Sequence, residues 1–161
     1  MREHLQIVEA DLALPAHGDA VLRLLDVYAR DEMGLGRPLS DAVRERLVEG
    51  LHKHPTRMVF LAQTDTQPVG LAVCFLGYST FAACPLVNIH DLIVHPDFRR
   101  RGIAAQLLDA VEARARSLGC CKVTLEVRVD NAAARSLYAA RGFSSGGSPD
   151  ELWSEPLGSK P

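Results

Sequence analysis

The stretch that most constrains the fold lies between Ile89 and Val129. An apolar run, Ile89-His-Asp-Leu-Ile-Val94, leads through a polar turn into an amphipathic segment, and a second β-rich run, Lys122 to Val129, follows. The amphipathic segment, Arg101 to Leu118, carries Ile103, Leu107, Leu108, Val111 and Leu118 on one helical stripe, with Gly119 placed to end it. A strand, a crossover helix of this length and another strand imply parallel neighbours in one sheet, joined right-handedly. Ligands of such sheets gather at the carboxyl ends of the strands. The residues just after Val94 therefore form the first candidate site.

The remaining segments supply a mixed α/β frame. Leu5 to Val8 reads as a strand. Asp19 is a plausible cap for a helix with Val21, Leu24, Leu25 and Tyr28 on one face, ending near Gly34. Ser40 is a second cap, followed by Val43, Leu47 and Leu51, with His54-Pro55 as the stop. Arg57 to Thr64 and Val69 to Tyr78 read as a hairpin about Asp65-Thr-Gln-Pro, and a longer loop through Cys84-Pro85 leads to the strand Leu86 to Val94. Asn131 to Ala140 reads as a short helix. With no internal repeat or low-complexity block, residues 1–161 are expected to form a single domain with a loose tail at 157–161.

Composition narrows the function classes. A formal charge of −2 gives no general attraction to nucleic acid or to an anionic membrane, so neither is an expected partner. Met1 to Val8 lacks the apolar core of a secretory signal, and Val69 to Leu76 is far shorter than the roughly 20 residues of a membrane-spanning helix, so a soluble, cytoplasmic protein is expected. Cys74, Cys84, Cys120 and Cys121 show no zinc-type spacing and are expected as reduced, mostly buried thiols. His52 and His54 flank Lys53 without an acidic or cysteine neighbour, which favours a solvated helix end, and no metal is expected.

The turn after Val94 reads His95-Pro-Asp-Phe-Arg-Arg-Arg-Gly-Ile-Ala-Ala. A helix N-terminus offers unpaired N–H groups and about half a positive charge, and Gly102 admits an anion close to the backbone. Ala104 and Ala105 keep the next turn open. Surface arginines and a glycine easing a turn are the plainer reading of the same residues. No lysine-bearing phosphate loop and no Gly-x-Gly-x-x-Gly follows a strand, so phosphate-cleaving and dinucleotide readings lack their residues.

Arg99-x-x-Gly102-x-Ala104, directly after the strand ending at Val94, resembles the acetyl-CoA signature of the GNAT superfamily of N-acetyltransferases. Downstream, Asp130-Asn-Ala-Ala-Ala-Arg-Ser-Leu-Tyr138 and Gly142-Phe143 resemble the other shared block of that family. The resemblance covers Ile89 to Phe143. It implies an α/β (α+β) fold with a central mixed sheet, flanked by about four helices and splayed open between parallel strands 4 and 5. It also implies acetyl-CoA as co-substrate, with Leu92, Ile93 and Val94 lining the pantetheine arm. Arg99, Arg100, Arg101, Gly102, Ile103, Ala104 and Ala105 would meet the pyrophosphate, while Asn131 and Tyr138 would stand on the pantetheine side.

The implied reaction moves an acetyl group from sulfur to an amine, in a ternary complex by direct attack, since no cysteine or serine has an arranged base partner. An alkylammonium of pKa about 10.4 is only ~0.04% free base at pH 7, a handicap of about 4.6 kcal/mol that a base or a desolvating pocket must offset. Tyr138 holds the position of the family's general acid. His90, Asp91 and Glu126 are the candidate bases, and period-two alternation sends His90 and Asp91 to opposite faces. A weaker resemblance to the diamine and thialysine N-acetyltransferases rests on Gly77 to Phe81, but His90 stands where an acid is expected, and only Asp31, Glu32 and Asp91 are nominated as acids near the mouth. The expected acceptor is a primary amine of a small molecule. A protein N-terminus or lysine, or a non-catalytic CoA-binding role, are the alternatives, and the resemblance implies a homodimer.

Overall fold

The computed structural model describes residues 4–147 together with Ser154, Glu155 and Leu157. The expected tail, apart from Leu157, lies outside the described residues. The chain divides into two compact units, Met1–Arg128 and Val129–Pro161.

The first unit runs β1 (Gln6–Glu9), α1 (Pro15–Arg30), α2 (Asp41–Lys53), β2 (Arg57–Gln63), β3 (Pro68–Ser79), β4 (Cys84–Val94), a 3-10 turn (Pro96–Phe98), α3 (Ile103–Ser117) and β5 (Lys122–Leu125). The five strands form one sheet in the order β1-β2-β3-β4-β5. Every neighbouring pair is antiparallel except β4 and β5, which are parallel, as the crossover helix requires.

Ser40 caps α2 as expected, its Oγ accepting from the Val43 N–H at 3.4 Å. Asp19 does not cap α1. That helix begins at Pro15, whose fixed φ suits the first helical position, so Asp19 lies inside it. Nor does α1 reach Gly34; the backbone turns extended at Asp31. The expected longer loop before β4 is instead a tight turn over 80–83, because β3 and β4 stay paired out to Ser79 and Cys84. Phe81 stands fully exposed at its tip.

Two apolar layers sandwich the sheet. Val21 and Leu24 of α1 bury with Val59, Leu61, Leu71, Val73 and Ile93 on one face, and Leu47 and Leu51 of α2 pack against that cluster. On the other face α3 approaches so closely that a Cβ on Gly70 would stand 3.0 Å from Ile103 Cγ2 and 3.1 Å from Leu107 Cδ1. Gly70 therefore sets how deeply the start of α3 seats on the sheet.

Cys84 and Cys121 are joined in a disulfide, with Cα atoms 6.1 Å apart, which corrects the expectation of four reduced thiols. The two stand 37 positions apart in sequence, and only the parallel pairing brings the starts of β4 and β5 together, where the Cys121 N–H donates to the Pro85 carbonyl at 2.9 Å. Cys74, which is buried, and Cys120 remain free. Among the described residues no helix is long and apolar enough to cross a membrane.

The second unit holds α4 (Ala132–Ala140), capped by Asn131, whose Oδ1 accepts from the Ala134 N–H at 3.1 Å. The chain turns back through Gly142 at φ +89°, bringing the Phe143 ring to 5.8 Å from that of Tyr138.

Candidate functional site

The ladder between β4 and β5 is short. Only Leu86 to Ile89 of β4 pair with Lys122 to Leu125, and the strand expected to reach Val129 ends at Leu125. Among the described residues, β4 from His90 onward is paired on its β3 side alone. The break coincides with a bulge: Val73 pairs with Asp91 and Cys74 with Ile89, leaving His90 as the extra residue. A bulge bends its strand and increases its twist, which turns β4 away from a partner running straight.

The open edge offers a defined set of backbone groups. The His95 N–H donates to the Val69 carbonyl at 2.8 Å, so residues 95 and 69 form a hydrogen-bonded pair. In an antiparallel ladder such pairs alternate. Hence Ile93, opposite Leu71, turns its backbone groups to β3, while Val94 and Leu92, opposite Gly70 and Ala72, present theirs to the open edge. Of the three residues expected to meet an extended ligand here, Leu92 and Val94 are placed to do so through the backbone and Ile93 is not. Ile93 instead buries its side chain in the core.

Beyond Val94 the chain enters α3 through two left-handed residues, Arg100 at φ +63° and Gly102 at φ +76°. Gly102 is the N-cap and supplies no side-chain acceptor, so the first-turn N–H groups at Ile103, Ala104 and Ala105 have no cap from it. A Cβ built on Gly102 meets nothing within 4 Å, so the space in front of the turn is open. An uncapped helix start facing open space beside an exposed arginine suits a pyrophosphate.

The three arginines do not act alike. Arg99 donates from Nε to the Val94 carbonyl at 3.3 Å and from a terminal nitrogen to Asp31 Oδ2 at 2.9 Å. Arg101 lies over the Phe98 ring at 4.8 Å and donates to the Asp97 carbonyl at 3.0 Å. Both guanidinium groups are thus engaged within the chain, and among the described residues Arg100 is the exposed arginine of this turn left to meet an anion.

On the α1 side of the sheet, the bulge overturns the expectation that His90 and Asp91 face opposite ways. Asp91 pairs with Val73, a residue of the α1-side core, and the His90 ring stands edge-on to Phe75 of that same side, 5.8 Å between centroids. His90 is exposed and Asp91 half-buried. Burial holds the Asp91 carboxyl above the usual carboxylate range, against the opposing pull of His90. Tyr28 of α1 packs against the same cluster; burial raises its phenol, and the charges of Asp91 and Asp31 raise it further. The His54 ring also meets Phe75 edge-on, with 4.7 Å between centroids. His54 is the exposed C-cap of α2, in line with the solvated helix end expected for His52 and His54, and its ring edge also meets this aromatic row.

Glu126 lies exposed past the end of β5, and among the described residues nothing ties it to His90 or Asp91. Tyr138 and Asn131 stand in the second unit, with the Asn131 oxygen engaged in capping α4. Cys74 is pushed up to about 12 by burial and then by the Asp91 charge, so it holds no thiolate at neutral pH. Sequence reasoning missed the Tyr28 contribution and the pairing of Asp31 with Arg99. The first lay hidden in a helical apolar stripe, and the second spans 68 residues with no local signal.

Residues 21–143 match the model of the acetyltransferase (GNAT) family. The chain is 29% identical over 87 residues to an aminoglycoside N(6')-acetyltransferase type 1 of Salmonella typhimurium, covering 52% of this chain and 60% of that protein. A protein of the same description from Acinetobacter genomosp. 13 is 28% identical over 120 residues, covering 70% of this chain and 82% of that one. Among solved structures, aminoglycoside N-acetyltransferase AAC(6')-Iy in complex with CoA superposes with a TM-score of 0.75 at 21% identity, covering 98% of this chain and 97% of that one. A ribosomal-protein-alanine N-acetyltransferase from Brucella melitensis superposes at 0.72 and 22% identity, over 93% of this chain and 99% of that one. These structural likenesses share the fold described above.

Proposed function

The chain belongs to the acetyltransferase (GNAT) family, and from that membership we propose that it transfers an acetyl group from acetyl-CoA to a primary amine of a small molecule, by direct attack in a ternary complex. The observation that carries this reading is the unpaired edge of β4 running straight into the uncapped, left-handed turn at Gly102. An extended amide-bearing arm fits the first and a pyrophosphate fits the second. The aminoglycoside-acetylating relatives support a small-molecule amine as acceptor.

In this reading the backbone groups of Leu92 and Val94 hold the pantetheine arm. The N–H groups from Gly102 to Ala105 hold the pyrophosphate, with Arg100 adding charge. The acceptor enters on the α1 side, where His90 and Asp91 share a face. His90, exposed on that face, takes the ammonium proton, and the Asp91 carboxylate orients and stabilises the imidazolium. The amine nitrogen then attacks the thioester carbonyl, the C–S bond breaks, the departing thiolate is protonated by a general acid, the role that the family resemblance implies for Tyr138, and the surplus proton of the acetylated nitrogen restores that acid. The buried, protonated thiol of Cys74 is no competitor as a nucleophile. A second copy of the chain is the proposed partner, as the family resemblance implies.

The test is release of free thiol from acetyl-CoA by the purified protein across a panel of aminoglycosides, diamines, amino acids and peptides bearing a free N-terminus. Turnover confined to small amines supports the proposal. Turnover on peptides alone moves the acceptor to the protein class, and no binding of acetyl-CoA at up to about a millimolar, weaker than about −4 kcal/mol, rejects the acetyltransferase reading itself.

A further inference from the structure

Arg99 opens the turn that meets the acyl donor, yet its side chain points elsewhere. Its guanidinium joins three parts of the fold. The Nε–H donates to the carbonyl of Val94, which faces the open edge of β4, and a terminal nitrogen donates to Asp31 Oδ2. Asp31 is the residue at which α1 ends, and its other oxygen accepts from the Met33 N–H at 2.9 Å. The Asp31 carbonyl in turn accepts from the N–H groups of Gly34 and Gly36, at 2.9 and 3.2 Å. Asp31 is therefore the hub of the segment linking α1 to α2. That segment leaves α1 beside Tyr28, whose hydroxyl donates to the Met33 carbonyl at 3.3 Å.

The pair is better shielded than an ordinary surface bridge, with the Asp31 side chain 19% exposed and that of Arg99 49% exposed. The Arg99 hydrogen bond holds the Asp31 carboxyl below the usual carboxylate range, with the Met33 N–H adding to it. The link is asymmetric in its supports: one partner is fixed to the β4 edge, the other to the loop on the acceptor side.

We propose that the Arg99–Asp31 ion pair is a strut that makes the donor turn and the loop over residues 31–39 a single unit, so that donor binding orders the acceptor side. The inference rests on the acetyltransferase reading for the identity of the donor. Both residues are positioning residues; neither is assigned contact with a reacting atom. Ordering the turn at 99–102 fixes Arg99, which fixes Asp31, which fixes the amides of Met33, Gly34 and Gly36. By linkage, loosening Asp31 weakens donor binding by the same factor.

Hydrogen exchange on the full chain, with and without CoA, tests this alongside calorimetric titration of CoA. The decisive variant is Asp31→Asn, which keeps an oxygen for the Met33 N–H and removes the charge that holds Arg99. In the unaltered protein, CoA is expected to slow amide exchange over 32–39 by about fivefold or more, the lower end of ordinary couplings. In Asp31→Asn the slowing over 32–39 disappears while slowing over 102–106 persists, and the CoA Kd rises by the same factor. Arg99→Lys, which keeps the charge, is expected to retain part of the coupling. Unchanged exchange over 32–39 when CoA is demonstrably bound overturns the strut and leaves the acetyltransferase reading intact. Tighter CoA binding in Asp31→Asn also overturns it, showing instead that Asp31 withholds Arg99 from the phosphates. If CoA does not bind the unaltered protein, the functional reading falls and the strut with it.

Discussion

Helix α3 has a left-handed glycine at each end, Gly102 at φ +76° before it and Gly119 at φ +71° after it, and a Cβ on either meets nothing within 4 Å. The two positions are matched in backbone strain and in space but differ in proposed role, and alanine at each separates the two effects. A left-handed alanine costs roughly 1–2 kcal/mol, partly offset by about 0.4–1 kcal/mol from a stiffer unfolded chain. Both Gly102→Ala and Gly119→Ala should therefore lose about 1 kcal/mol, a fall in Tm of roughly 2–4 °C for a chain of this size. At Gly102 the methyl also stands in the open space before the uncapped N–H groups. Losing one charge-assisted hydrogen bond of about 1.5–3 kcal/mol weakens donor affinity by roughly tenfold to a hundredfold. Thermal melts and calorimetric titration with acetyl-CoA on the two variants make the comparison. Equal donor affinity in both would refute the cradle at Gly102, because strain alone would then account for everything the substitution does.

Asp91→Asn is expected to stabilise the fold at neutral pH while cutting turnover at least tenfold. Burial raises the Asp91 carboxyl in the folded state, so stability falls as pH rises from the unfolded aspartate value, about 3.9, through the folded one; unfolding from pH 4 to 8 should show that slope flattened in the variant. Gly70→Val places a branched side chain where a Cβ already stands 3.0–3.1 Å from Ile103, Ala62 and Leu107, and should cost about 1–3 kcal/mol in denaturant unfolding. Tyr138→Phe should lower turnover at least tenfold and leave CoA affinity nearly unchanged in titration; unaltered turnover would remove its role as acid.

Most of the local chemistry was legible in this sequence. The serine cap of α2, the stop at His54, the hairpin of β2 and β3, and the glycine that ends α3 each follow from residues within a few positions of the feature. The same holds for the parallel placement of β4 and β5, since a crossover helix allows little else. One local cue was passed over: Asp19 is an adequate cap, yet Pro15 begins α1 four residues earlier. Elsewhere, where prediction failed, distant groups had decided. Alternation put His90 and Asp91 on opposite faces, and a single bulge against Val73 and Cys74 put them on one.

The sequence by itself determined the order of elements and the backbone chemistry of the turn at Gly102, because helix periodicity, capping and a left-handed glycine are encoded within a few residues. Only the tertiary structure decided which face His90 and Asp91 share, that Ile93 turns its backbone inward, that Cys84 meets Cys121, and that Arg99 is held by Asp31. Each of these depends on strand register or on a contact across tens of residues, and register is fixed by the packing of two sheet faces at once, which no local stretch of sequence records.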